Sequence, residues 1–317
     1  MIENLDTLVI PFRAEGRWLL GVALGFIVFA VALHLDRRDL AQLRRQPRAA
    51  ALGLTGQWLL LPLLSVGLIA LLSPPPGIAA GMLLVAACPG GSMSNYFCLQ
   101  AHGNVLLSVA LTTVSTAMAA LTLPVIFSLG TALLPALSTT AEVPQVAFLP
   151  LLRDLAVILL LPLLLGLLMQ TRLPRAARRM RTPLRRAAGA LLVLFIVLAL
   201  LDQRATLTAL GPQLLPLLGL VILHNGLALA GGYALGALGG LAEPERRTLA
   251  LETGLQNAGL GLVVAFTHFG GAGGIVVVVS LWGIWHLISG ALVSWAWARR
   301  RPRLEENHHA AVQDIHS

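Results

Sequence analysis

The chain has 317 residues, of which 57% are hydrophobic and 11% charged, and a mean hydropathy of +0.82. A soluble domain carries roughly 25% charged residues, so this composition excludes a water-soluble globular fold and describes an integral membrane protein. Every basic residue behind the net charge of +8 is an arginine, and the arginines cluster in short segments between apolar runs, a distribution that orients a membrane protein rather than one that binds nucleic acid.

The apolar runs are about 20 residues long and do not alternate with polar residues, so they read as helices rather than barrel strands. Nine spans are expected, at about 17–35, 49–72, 77–99, 104–131, 147–170, 185–202, 213–238, 247–268 and 272–298. The first ends in "HLDRRD" rather than a small-residue cleavage site and reads as a true span. "SPPPG", Ser73 to Gly77, predicts a tight exterior turn before the third, and "TRLPRAARRMRTPLRR", Thr171 to Arg186, a basic loop before the sixth. Alternate loops carry Arg37, Arg38, Arg44, Arg45 and Arg48, then Arg172 to Arg186, Arg246 and Arg247, and Arg299 to Arg303. The opposite loops hold only Arg13, Arg17 and Arg204. This bias places the N-terminus outside and the C-terminus in the cytoplasm of a multi-pass inner (plasma) membrane protein. The polar tail, 304–317, is expected to be disordered.

The spans divide into two halves, about 17–131 and 147–298, within one membrane domain. The next-to-last span of each half is interrupted, by "CPGGSMSN" (Cys88 to Asn95) and by "ETGLQNAG" (Glu252 to Gly259). The two run in opposite directions, as inverted-topology repeats with one discontinuous helix each require. The first half lacks one helix relative to the second.

In the first break, Pro89 removes an N–H and Gly90 and Gly91 add backbone freedom. Ser92, Ser94 and Asn95 follow at once; unwound backbone beside polar side chains is tolerated in lipid only where protein or water satisfies it. A plain proline kink is the alternative. In the second break, Glu252 is an acid deep inside a span, which costs roughly 3 kcal/mol unpaired at the bilayer centre. It either pairs with Arg246 or Arg247 or shares its site with a cation. Gln256 lies one turn on and presents an oxygen on the same face. In the fourth span Ser108, Thr112 and Ser115 form a hydroxyl stripe at i, i+4 and i+7, serving either helix packing or a cage. One carboxylate, amides, hydroxyls and freed carbonyls are hard oxygen donors; they suit a monovalent hard cation, sodium before a proton, and not zinc or copper. Cys88 and Cys98 read as free thiols. His102, His224 and His268 read as packing or interhelix residues, and His286, in "GIWHLISG", as the strongest candidate for a substrate contact.

These segments carry a resemblance. "CPGGSMSNYFCLQAHGNVLLSVALTTVST" and "ALETGLQNAGLGLVVAFTHF" resemble the two signature stretches of the bile acid:sodium symporter family, and "VILHNG" and "WHLISG" match two more. The similarity runs from about Gly21 to Trp297. It implies an all-α polytopic fold with a panel domain, a core domain and two discontinuous helices crossing in the core. It further implies two sodium ions, the first at Ser94, Asn95, Ser108, Thr112 and Glu252. The second falls on Gln57, Glu252, Thr253, Leu255 and Gln256, with Thr253 and Leu255 contributing carbonyls. Substrate then lies near Ser92, Asn257 and His286. Nine spans match the animal members rather than the ten-span bacterial ones, and Leu287 stands where an asparagine often follows the histidine, which leaves the substrate open. The function implied is sodium-coupled symport of an organic anion, bile-acid-like or a small carboxylate such as pantoate. A proton-coupled or uniport exporter and a non-transporting receptor are the alternatives; an enzyme is not expected, since no serine neighbours a histidine in a hydrolase pattern.

Overall fold

The computed structural model describes residues 14–33, 44–134, 137, 148–202, 211 and 214–300. The tail 304–317 and Arg13, Arg37, Arg38, Arg204, Arg301 and Arg303 lie outside the described residues. The helices are α1 (Ala14–Ala32), α2 (Pro47–Leu72), α3 (Pro76–Ala87), α4 (Ser92–Gln100), α5 (Val105–Ala132), α6 (Phe148–Arg172), α7 (Pro174–Asp202), α8 (Leu214–Leu238), α9 (Glu243–Gly254), α10 (Ala258–Thr267) and α11 (Gly273–Ala298). Among the described residues no β-strand occurs beyond isolated bridge pairing.

Five of these helices, α2, α5, α6, α8 and α11, are long and apolar enough to cross a membrane. The expected third and eighth spans each fall on two shorter helices, α3 with α4 and α9 with α10. The turn at "SPPPG" is present, with Ser73 left-handed at φ 44°. The basic stretch after α6 is not a loop. Helix α7 starts at Pro174, well before the expected 185. Proline suits a first helical turn and arginine is a good helix former; Ala177 is buried while Arg175, Arg178 and Arg179 are exposed. Charge density was a poor guide there, because an amphipathic surface helix carries it as readily as a loop does.

Helix α1 packs along α6 and α7, while α8 packs on α9 and α11 on α3. The two sets meet where α5 touches α6 and α1 touches α10. Helix α3 is apolar all round and buried from Gly77 to Ala87, as a helix in the middle of the molecule must be. It lies so close to α11 that a Cβ on Gly81 would come 2.8 Å from Val278 Cβ.

Helices α2 and α6 each contain a π-helical turn, Gly56–Leu60 and Ala156–Leu160, immediately before a Leu-Pro pair. Proline has no N–H to return to the preceding turn, and widening that turn re-pairs the carbonyls: Leu61 N–H reaches Gly56 O, and Leu161 N–H reaches Ala156 O. In α2 the widened turn contains Gln57, which is 1% exposed.

Candidate functional site: a buried carboxylate at the crossing of two broken helices

Helix α3 stops at Ala87, and Cys88 turns extended (φ −68°, ψ 150°) ahead of Pro89. Helix α9 stops at Gly254, and Leu255 is extended in turn. The two unwound segments pair with each other: Gly91 N–H donates to Leu255 O (2.8 Å) and Asn257 N–H to Pro89 O (2.9 Å), around an antiparallel Gly90–Gln256 bridge. This is two interrupted helices crossing rather than a proline kink. The glycines serve close approach rather than backbone freedom. Gly91 has φ −87°, open to any residue, but a Cβ there would meet Gln256 O at 3.1 Å, and one on Gly90 would meet Gln57 Nε2 and Glu252 Oε2 at 2.9 Å each.

Glu252 is fully buried at the last turn of α9. Ser94 Oγ and Ser108 Oγ each lie 2.5 Å from its Oε1; Thr112 Oγ1 lies 3.1 and 3.0 Å from its two oxygens, and Gln57 Nε2 3.0 Å from Oε2. Asn95 Oδ1 joins from 2.8 Å off Ser108 Oγ. Among the described residues no basic group pairs with it. Arg247 instead binds Glu243 (2.8 Å) and the carbonyls of Ala101, Trp297 and Arg300, and Arg246 binds Leu241 O. The oxygens of Ser94, Asn95, Ser108, Thr112 and Glu252 thus share three hydroxyl protons and one N–H of Gln57, and Gly91 O competes for the Ser94 proton. Such an acceptor-rich cluster fits a cation, because a cation satisfies lone pairs that no donor reaches. Ser115 does not join: its hydroxyl turns back to Thr112 O.

A second group of oxygens surrounds the α9 break. Gln256 Nε2 donates to Thr253 O (2.8 Å) and Glu252 O (3.3 Å), and Gln57 Nε2 also reaches Glu252 O. With their nitrogens so used, Gln57 Oε1 and Gln256 Oε1, together with Thr253 Oγ1, are buried without a hydrogen-bond partner among the described residues. Unpartnered buried oxygens are costly and fit a hard cation. Leu255 O already accepts from Gly91, so only its second lone pair is free.

Of the three residues considered for substrate, Ser92 is exposed at the first turn of α4. Asn257 is half-buried and caps α10, its Oδ1 accepting from Leu260 N–H (3.0 Å). His286 is buried on α11, its Nδ1 donating to Trp282 O (2.8 Å), which leaves Nε2 an acceptor. It lies between Gly283, whose Cβ would meet Ala258, and Gly290, whose Cβ would meet Phe97 and Leu255. Its helix therefore presses on the crossing from both sides of it.

Sequence reasoning gave no role to Asn225. Its Nδ2 donates to Gly254 O at 2.7 Å, tying α8 to the end of α9. The available signal was an asparagine in the middle of an apolar 25-residue helix. Its neighbour His224 is buried between Ser65 (2.7 Å) and the edge of Trp282.

A helical membrane protein with a carboxylate enclosed where two interrupted helices cross has the construction of a transporter. The comparisons make that specific. The chain belongs to the sodium bile acid symporter family, whose model matches residues 21–210. A relative from Bacillus subtilis (strain 168), named an uncharacterized sodium-dependent transporter YocS, is 30% identical over 279 residues, 88% of this chain and 83% of its own. The probable chloroplastic sodium/metabolite cotransporter BASS2 of Oryza sativa subsp. japonica is 31% identical over 79% of this chain, which spans 57% of that relative. The P3 protein of Homo sapiens is 29% identical over 70% of this chain and 45% of its own.

Proposed function

We propose that the protein carries an organic anion into the cell together with sodium, by alternating access across the inner (plasma) membrane. The observation that carries this reading is Glu252: a carboxylate 0% exposed, without a basic partner among the described residues, inside an acceptor-rich cage. The printed names of the relatives, sodium-dependent transporter and sodium/metabolite cotransporter, support it. The first ion is held by Ser94, Asn95, Ser108, Thr112 and Glu252. The second is held by Gln57, Glu252 and Gln256, with the carbonyls of Thr253 and Leu255. The fit at the second site rests on the unpartnered amide oxygens of Gln57 and Gln256.

The anion lies at the other polarity of the crossing. Helices α4 and α10 both begin there, and a helix N-terminus favours negative charge. Ser92, Asn257 and His286 line that side, and the substrate is a bile-acid-like or small carboxylate of the pantoate kind. Helices α1, α6 and α7 form the panel, the remainder forms the core, and their relative movement opens the site to either side. In this reading nine spans cross the membrane as inverted repeats, with the N-terminus outside.

The driving force is sufficient. Two sodium ions with one monovalent anion carry one net charge inward, worth about 2.3 kcal/mol at about 100 mV. Two tenfold sodium gradients add about 2.8 kcal/mol, and together they support roughly thousandfold accumulation or more. The test is uptake of small carboxylates into proteoliposomes, with sodium or choline outside, by the wild type and by Glu252→Ala. Wild-type uptake should need sodium and the variant should lose it. Uptake unchanged in choline would point to a uniporter or proton-coupled carrier and defeat the sodium reading.

A further inference from the structure

Each carbonyl of the α9 break, from Glu252 to Gln256, accepts a hydrogen bond. Glu252 O accepts from Gln57 and Gln256, Thr253 O from Gln256, Leu255 O from Gly91 and Gln256 O from Ala258. Gly254 O, between them, accepts from Asn225 Nδ2 at 2.7 Å. Asn225 alone of these donors stands on α8, outside both broken helices and outside α2.

Helix α8 is pressed on α9 along one face. A Cβ on Gly232 would come 2.5 Å from Leu249 O and 2.8 Å from Thr253 Oγ1, and one on Gly254 would come 2.5 Å from Leu229. Asn225, Leu229 and Gly232 fall at i, i+4 and i+7, so they share that face. Asn225 ends the row at the break and is 0% exposed. A carbonyl only accepts, so the atom facing Gly254 O is the amide nitrogen. That leaves Oδ1, which is buried without a partner among the described residues, like the oxygens of Gln57 and Gln256. Three amides thus meet one short stretch in the same way, nitrogen on the backbone and oxygen unsatisfied.

We infer that Asn225 is a further determinant of the second cation site: its nitrogen fixes the Gly254 carbonyl, and its unpaired oxygen adds a neutral donor at the same break. The peptide plane it holds lies between the two carbonyls, of Thr253 and Leu255, that face the ion. Asn225 therefore sets their direction whether or not its own oxygen touches the cation. This rests on the sodium reading of Glu252.

The experiment titrates sodium chloride against choline chloride at constant ionic strength, on the purified full chain. It follows thermal stabilisation and counts bound ²²Na⁺ per chain. Removing one such hydrogen bond in Asn225→Ala should raise half-saturating sodium about tenfold, so that at a sodium concentration just sufficient to fill both wild-type sites the bound count should fall from two towards one. Asn225→Ser keeps a hydroxyl donor for Gly254 and should shift half-saturation only about threefold; it supplies the reading if the alanine variant does not fold. Either variant folded, with wild-type half-saturation and two bound ions, would overturn the inference. A wild type indifferent to sodium would sink the underlying sodium reading instead.

Discussion

Gly90→Ala tests the contact between the first break and the buried acid. The added Cβ would sit 2.9 Å from both Gln57 Nε2 and Glu252 Oε2, where ordinary contact begins at 3.4 Å. Gly90 is not among the glycines with positive φ, so the new methyl and not the backbone conformation is the perturbation. The two atoms it strikes are hydrogen-bonded to each other at 3.0 Å, and moving either breaks that bond. A hydrogen bond to a charged group contributes about 1.5–3 kcal/mol, and overpacking costs about 1–3 kcal/mol. Taking about 2 kcal/mol as the part felt by the bound state, sodium affinity should drop roughly thirtyfold. Gly67→Ala is the control. It lies on the same helix as Gln57, its Cβ would meet nothing within 4 Å, and alanine in a helix interior gains about 0.5–1 kcal/mol. Both variants are titrated with sodium against choline while thermal stability is followed. If Gly90→Ala half-saturates at the same sodium concentration as Gly67→Ala, the placement of the carboxylate against Gly90 is wrong.

Two further outcomes concern the end of the molecule where α9 begins. Arg247 is 3% exposed and supplies donors to Glu243 and three carbonyls; Arg247→Ala should cost about 3–5 kcal/mol, lowering Tm in detergent by roughly 10 °C. Arg247→Lys should recover less than half of that, since an ammonium cannot reproduce the fork; a Tm within about 2 °C of wild type for the alanine variant would contradict the bonding described. Glu243 is pushed up by burial, but hydrogen bonds from Tyr233 and Arg247 outweigh this and hold its carboxyl below the ordinary 4.5. Its stabilising contribution is therefore complete above that value and lost as pH falls through the lower folded one. Tm measured from about pH 6 down to about pH 3 should fall less steeply for Glu243→Gln than for wild type, and equal slopes would assign the acid response to other groups.

Much of the crossing was legible because its causes are local. Pro89 with two glycines, and an acid and two amides inside an apolar run, break helical pattern in ways a sequence displays directly. The stripe of Ser108 and Thr112 follows from helical spacing, and both meet Glu252. Spacing alone also included Ser115, which turns back on its own helix; one further turn of helix is enough to leave the cage. What spacing could not give was long-range. The π-helical turn around Gln57 depends on how α2 absorbs Pro62. Asn225 sits beside His224 in an otherwise apolar helix segment, and its partner, the Gly254 carbonyl, is 29 positions away. The misread start of α7 has a different origin: arginines count against a membrane span but not against a helix.

The two breaks also explain each other. An unwound segment inside an apolar interior leaves backbone groups without partners, and each one costs several kcal/mol in hydrocarbon. Here each segment satisfies the other through Gly91 to Leu255 and Asn257 to Pro89, so neither break is tolerable without its counterpart. Crossing at their breaks brings four helix ends together, the C-termini of α3 and α9 and the N-termini of α4 and α10. Carbonyl ends favour a cation and N–H ends an anion. One junction thus offers both polarities within a few residues, with Glu252 on the carbonyl side. In the sodium reading proposed above, a cation bound there would tighten the bridge that also orients the anion-favouring ends. On that proposal the coupling of the two ligands runs through the shared hydrogen bonds of the crossing.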